Sequence, residues 1–397
     1  MEITDVSVTK VSTESWGEFV ELPTSSPMMR WEEFKNAGDN PEAIRNWVGP
    51  VGDVFVEIET DAGVTGYGHG NWGTGAIATV IDETLSKLLV GRDPTRREEL
   101  WDMMYRATLP FGRRGVAVQA ISAVDIALWD IAGKAQGKPV YELLGGPVRE
   151  EIPCYASNLY AVDLDKLERE AADYAERGFE TVKLRFKHGP EAGRAGMEEN
   201  ERLVATVREA VGDDVAIAAD VYKGWTVRYA KQMLPRLEQY DLAWLEEPVL
   251  PDDLEGYAEI RDSTTIPISG GEAEFTRWGF KDLLDAGAVD ILQPDLHCAG
   301  GFTEMKRIAA LASSHDKPII PHAATPPTLH FLAATTNAPL AEYFPIPIWY
   351  ADRKDATYVN SIYAHPPEPE DGTLPLPDRN GAGTELDHEV LERYAVE

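Results

Sequence analysis

Val215-Ala216-Ile217-Ala218-Ala219-Asp220, Leu242-Ala243-Trp244-Leu245-Glu246 and Pro267-Ile268-Ser269-Gly270-Gly271-Glu272 are three short, largely apolar runs, and each closes on an acid. Asp220, Glu246 and Glu272 follow one another at intervals of 26 residues. Runs this short, with room for a helix between them, read as parallel strands of a βα barrel. Barrel strands carry their chemistry at their C-terminal ends, so the three carboxylates converge on one point. Unpaired, they would repel one another and resist ionising together. A divalent cation is their natural partner, and oxygen-only ligands on rigid strands suit Mg²⁺. A single acid at a strand end is commonly a helix cap or a solvated charge, but caps have no reason to recur at equal intervals.

Outward from this stretch, strand and helix signals alternate from about residue 152. Strands are expected at 152–156, 181–185, 215–220, 242–246, 268–272, 291–295, 319–322 and 341–344, with amphipathic stretches such as 165–177 and 303–314 between them. The N-terminal part differs. Ile3-Thr4-Asp5-Val6-Ser7-Val8 and Val54-Phe55-Val56-Glu57-Ile58-Glu59-Thr60 alternate as antiparallel strands do, and from Ala76 to Gly137 the apolar spacing turns helical. Between the two strands, residues 17–49 are rich in Pro, Met, Trp and polar side chains without periodicity, which reads as a lid. Trp31 and Trp47 are aromatic lid candidates, and Arg30 and Arg45 are candidates to grip a substrate carboxylate.

A chain of 397 residues fits one barrel plus a smaller domain. It holds 68 acidic against 37 basic residues, a formal charge of −31 scattered along the whole length. That balance repels nucleic acid and anionic membrane, and it points to a surface kept hydrated at high salt, hence to a halophilic source. Cys154 and Cys298 alone exclude a disulfide framework and a cysteine-rich metal site. The first residues lack a basic stretch followed by an apolar one, and the expected location is the cytoplasm.

The spaced motifs continue past the third acid: Gln293-Pro294-Asp295, Ile320-Pro321-His322 and Ala341-Glu342-Tyr343-Phe344. Together with Glu246-Glu247-Pro248, Gly271-Glu272 and Leu143-Leu144-Gly145-Gly146, this series resembles the mandelate racemase subgroup of the enolase superfamily, over essentially the whole chain. The resemblance implies an α/β fold, a modified (β/α)₇β TIM-type barrel with an α+β capping domain. The cap would comprise residues 1–125 and 350–397, and the barrel 126–349. It also implies that Asp220, Glu246 and Glu272 hold Mg²⁺, that His322 and Asp295 form a catalytic dyad, and that Glu342 donates a hydrogen to the substrate. The chemistry fits independently of the family. Removing the proton α to a carboxylate adds charge to an anion, which a cation and preorganised donors stabilise, and His titrates in the range a base needs.

Strand two departs from the racemase pattern Lys-x-Lys, reading Lys183-Leu184-Arg185. A guanidinium hardly ever deprotonates, so a second base is missing and Arg185 is a substrate-binding candidate. Lys183 is either a barrel-interior charge paired with a metal ligand or a substrate contact. A single His can abstract the C2 proton and return it to a departing C3 hydroxyl, which is a dehydration. Arg185-Phe186-Lys187-His188-Gly189-Pro190-Glu191-Ala192-Gly193, Gly196-Met197 and Gly271-Glu272-Ala273-Glu274-Phe275-Thr276 likewise resemble acid-sugar dehydratases of the L-rhamnonate dehydratase type. Ala273 replaces the His often found after the third ligand in that type, which leaves the sugar open. Tyr222 and Trp225 are cavity-lining candidates, His297 lies close enough to Asp295 to reach the pocket, and alternation turns Glu247 away from Glu246 into a structural ion pair. The resulting expectation is Mg²⁺-dependent conversion of a sugar acid to a 2-keto-3-deoxy acid by a homo-oligomer. An epimerase or racemase of the same superfamily and a non-catalytic sugar-acid binding protein are the alternatives.

Overall fold

Alternating residues of β1 (Ile3–Ser12) and β2 (Gly52–Thr60) bury Val6, Val54, Val56 and Ile58 on one face, and the strands pair antiparallel with Val6 opposite Ile58 and Val8 opposite Val56. These elements belong to a computed structural model that describes residues 1–12, 52–71, 73–161, 163–346 and 362–396. The expected lid and its Arg30, Trp31, Arg45 and Trp47 lie outside the described residues. The sheet gains a strand that alternation did not reveal, β3 (Thr65–Gly70, Thr-Gly-Tyr-Gly-His-Gly), antiparallel to β2. Its glycines admit the helix Val116–Gln136 to the sheet: a Cβ on Gly68 would lie 1.9 Å from the Ala123 carbonyl oxygen, and one on Gly66 2.3 Å from that of Ala127.

Helix Val116–Gln136 ends at Gly137 in the left-handed region, whose N–H caps the Gly133 and Lys134 carbonyls. By length and composition it could cross a membrane, but 94% of its most apolar window is buried inside the molecule. Ile121, Val124 and Leu128 pack in the core of the N-terminal sheet, whereas Ile126 and Trp129 join the barrel core. The helix runs unbroken through residues 125 and 126.

The barrel follows as β4 (Glu151–Leu159), β5 (Thr181–Arg185), β6 (Ala216–Asp220), β7 (Leu242–Glu246), β8 (Ile268–Gly270) and β9 (Ile291–Leu292), each parallel to the one before. The segment at 319–322 pairs through isolated parallel bridges, Leu292 with Ile319 and Asp295 with His322. β10 (Ala341–Tyr343) then closes the ring on β4, with Ala341 opposite Cys154. Three of the expected strands are truncated for visible reasons. Pro294 has no N–H to continue β9, and Pro321 interrupts the ladder at 319–322. β8 stops before Glu272 because Gly271, at φ 122°, turns the chain. Connecting helices such as Leu164–Glu176 and Val227–Leu237 start at capping side chains, Asp163 and Thr226, that accept backbone N–H groups.

The tail touches both halves. β11 (Thr373–Pro375) lies antiparallel on β4, while helix His388–Tyr394 and β12 (Ala395–Val396) return to the outer edge of β1. There Val11, Phe55, Tyr363 and Leu386 form a small core of their own.

Candidate active site

Barrel register brings the acids together. Arg185 pairs with Asp220, Asp220 with Glu246, and Glu246 with Ser269, three residues before Glu272. Asp220, Glu246, Asp295 and Glu342 are all nearly buried, and the Glu272 side chain is 18% exposed. Lys183 sits among them: its ammonium lies 2.5 Å from Glu246 Oε1, 2.7 Å from Glu342 Oε1 and 3.7 Å from Asp220 Oδ2. Burial disfavours that charge, but Glu246, Glu342 and Asp220 outweigh it and hold the proton beyond the ordinary lysine range. The other Glu246 oxygen accepts from Trp244 Nε1 at 3.0 Å and Gln293 Nε2 at 2.7 Å.

A second ammonium, which sequence reasoning missed, serves Glu272. Lys223 donates to Glu272 Oε1 at 2.6 Å, contacts Glu247, and lies 4.4 Å from the Tyr222 ring. Glu247 is thus in an ion pair beside the site. No pattern announces Lys223; it arrives because Tyr222 and Lys223 both take the left-handed conformation, at φ 51° and 65°.

His322 and Asp295 face each other directly, His322 Nδ1 to Asp295 Oδ2 at 2.8 Å. The other ring nitrogen points to Glu272 Oε2 at 3.8 Å. Burial works against the imidazolium, yet the bond to Asp295 and the charges of Glu272 and Glu342 lift the ring to about 10. Glu342 accepts from the Ser157 hydroxyl at 2.6 Å, from Lys183, and through Oε2 from the Ala323 N–H at 3.0 Å. Burial opposes its charge, but Lys183, His322 and Ser157 hold it down to about 2. Without metal or substrate Glu342 accepts from all three of these groups, Ser157, Lys183 and the Ala323 N–H. The donor beside it is the Lys183 ammonium.

Arg185 Nη1 donates to the Ser157 carbonyl at 3.1 Å, and the guanidinium lies 4.8 Å from the Tyr160 ring. Two cavity candidates prove to be core residues. Trp225 is 3% exposed, packs on Phe186 and donates to the His188 carbonyl. His297 is fully buried, with Nδ1 at 3.0 Å from the His69 carbonyl and Nε2 at 2.8 Å from the Thr325 hydroxyl, so it faces the interface with the N-terminal sheet and not the pocket.

Among the described residues, no three His, Cys, Asp or Glu side chains stand in ligating geometry. The carboxylates are turned to the lysines instead. The charge balance nonetheless fits a divalent cation: Asp220, Glu246, Glu247, Glu272, Asp295 and Glu342 are six carboxylates facing Lys183, Lys223, Arg185 and His322. Glu246 shows the strain, its pKa raised by burial and by Asp220, Glu342 and Glu272 despite Lys183. An excess of buried negative charge is costly, and oxygen-only donors in this number suit a hard cation.

A curled parallel sheet with carboxylates at successive strand ends and a His-Asp pair opposite defines the enolase superfamily. The chain belongs to it: residues 48–145 match the mandelate racemase / muconate lactonizing enzyme N-terminal domain, and residues 166–390 the enolase C-terminal domain-like family. It is 36% identical over 374 residues to L-rhamnonate dehydratase from Saccharopolyspora erythraea, covering 92% of this chain and 90% of that protein. D-galactarolactone cycloisomerase from Agrobacterium fabrum is 37% identical over 352 residues, 86% of this chain and 91% of the relative. The crystal structure of rhamnonate dehydratase from Gibberella zeae complexed with Mg superposes with a TM-score of 0.87 at 28% identity, covering 100% of this chain and 96% of that one.

Proposed function

We propose that the protein is a hydro-lyase that dehydrates a sugar acid to a 2-keto-3-deoxy acid, and that Asp220, Glu246 and Glu272 hold a Mg²⁺ ion. The observation that supports this reading is the His322-Asp295 pair, Nδ1 to Oδ2 at 2.8 Å, with the other imidazole nitrogen 3.8 Å from Glu272 Oε2. Bound Mg²⁺ would neutralise those carboxylates and stabilise the negative charge that develops on the substrate carboxylate. His322, once neutral, takes the C2 proton through Nε2, and the C2–H electron pair delocalises into the carboxylate as an enediolate. Those electrons then form the C2–C3 double bond as the C3–O bond breaks, His322 gives its proton to the departing hydroxide as water, and the enol tautomerises. Asp295 fixes the proton on Nδ1 and supports the imidazolium. Lys183, held by Glu342, supplies the hydrogen-bond donor to the enediolate, and Arg185 binds a substrate hydroxyl or carboxylate. Tyr222 lines the cavity, and Arg30, outside the described residues, is a candidate to grip the substrate carboxylate.

A racemase would need a neutral base on the opposite face, and Lys183 is held protonated by its carboxylates. The cycloisomerase relative favours a second reading, in which the substrate is a sugar lactone and the product an isomer. The test is a screen of aldonates, aldarates and their lactones with Mg²⁺ at high salt, with products identified by NMR. Water loss and a 2-keto-3-deoxy acid are expected, with His322→Asn lowering kcat by about 10³-fold or more while Mg²⁺ still binds. An active His322→Asn enzyme would refute the assignment. Two free, buried cysteines fit a reducing, cytoplasmic compartment.

A further inference from the structure

Asp295 is held from both domains. Its Oδ1 accepts the His297 N–H at 2.7 Å, and its Oδ2, the oxygen that bonds His322, also accepts from Asn71 Nδ2 at 3.2 Å. Asn71 is not a barrel residue; it follows directly on β3 of the N-terminal sheet. Its own side chain is fixed in turn. The Cys298 thiol donates to Asn71 Oδ1 at 3.2 Å, and burial keeps that thiol protonated and able to donate. Gln119, on helix Val116–Gln136, donates through Nε2 to the Asn71 backbone carbonyl at 3.2 Å and lies 3.7 Å from Cys298 Sγ. Gln119, Cys298 and Asp295 are all less than a tenth exposed, so these bonds stand out of water, where a polar network is strong and its loss costly.

We propose that Asn71 is a positioning residue for the dyad, supplied by the N-terminal domain. Two donors on one carboxylate oxygen leave Asp295 little rotational freedom. The Nδ1–H of His322 is thereby aligned and Nε2 left facing the cavity. The amide sense follows from Asp295, whose carboxylate only accepts and so takes the NH₂, leaving Oδ1 to accept the Cys298 thiol. The second donor on the shared Asp295 oxygen is consequently in place only when the glycine-rich strand docks against the barrel. The proposal deepens the function given above, in that it takes His322 as the base.

The experiment uses the full chain with ¹⁵N-labelled histidine, the His322 ring signals being assigned by their loss in His322→Asn. Asn71→Ala frees the shared Asp295 oxygen for His322 alone, so the Nδ1 signals are expected to move, and kcat for keto-acid release to fall about tenfold with KM within twofold. Asn71→Asp, which sets a carboxylate against Asp295, is expected to fall further. If Asn71→Ala unfolds, Asn71→Ser, which keeps a polar side chain, is read in the same way with a smaller loss. Unmoved ring signals overturn the proposal, as does a kcat within twofold of the parent or a KM that rises in step with the loss of kcat. If the parent turns over no sugar acid, the dehydratase reading fails, and the ring signals alone decide whether Asn71 bonds the dyad.

Discussion

Tyr222, Lys223, Glu247 and Ala323 hold φ of 51°, 65°, 43° and 58°, and each stands within three residues of Asp220, Glu246 or His322. Non-glycine residues in this region cost on the order of 1–3 kcal/mol each. The strain turns the chain sharply at the strand ends and aims Lys223 and the Ala323 N–H back at the site. Lys183 is the pivot of its charges. Lys183→Met strands Glu246 and Glu342 in the interior and is expected to cost about 3–5 kcal/mol in the metal-free protein. Mg²⁺ should restore part of this, so the unfolding midpoint in Mg²⁺ against EDTA is expected to rise more for Lys183→Met than for the parent, and to rise least for Asp220→Asn. A parent midpoint indifferent to EDTA and Mg²⁺ would remove the metal reading.

Among the elements, β3 shows how sequence and packing differ in what they reveal. Thr65–Gly70 has no apolar alternation, yet it forms a strand whose glycines let the helix Val116–Gln136 approach until only hydrogen fits. Gly68→Ala is expected to cost at least about 3 kcal/mol, measured as a fall in the urea midpoint, because backbone lies where the methyl would go. A near-parental midpoint would mean that the two elements separate readily. Helix Pro326–Ala334 carries a pH signature. His330 is fully buried there, its Nδ1 accepts the Tyr141 N–H at 3.3 Å, and burial lowers it to about 3. The unfolded chain takes up a proton near the ordinary pKa of about 6.5 and the folded chain does not, so stability present above that pH is lost as pH falls toward 3. At pH 5 this one group costs about 2 kcal/mol. His330→Gln should therefore flatten the fall in urea midpoint between pH 7.5 and 5, and an unchanged slope would count against a neutral, buried His330.

At the scale of the whole molecule, −31 on 397 residues is a self-repelling surface. Molar salt shortens the screening length to about 3 Å, against about 10 Å at 0.1 M. The unfolding midpoint is accordingly expected to rise between 0.1 M and 2 M KCl, and full stability in dilute buffer would remove the halophilic expectation. The two halves are joined by more than a linker. A single helix supplies residues to both cores, the tail lays one strand on the barrel and another on the N-terminal sheet, and Asn71 reaches the dyad from outside the barrel.

The strand-end acids, the spacing of the barrel strands and the candidates His322, Asp295 and Glu342 were legible in the chain, because a strand-helix repeat of fixed length puts successive strand ends on one rim. Prolines at 294 and 321 and the glycine at 271 shortened the strands without moving that rim. Lys223, Ser157, Trp244, Gln293 and Asn71 were not legible as site residues. Their roles depend on backbone turns and on contacts between segments far apart in sequence, and neither leaves a periodic trace. The order of residues along the chain determined which groups stand at the strand ends; tertiary packing decided which proton or carboxylate each one faces, because hydrogen-bond partners are chosen by distance and burial.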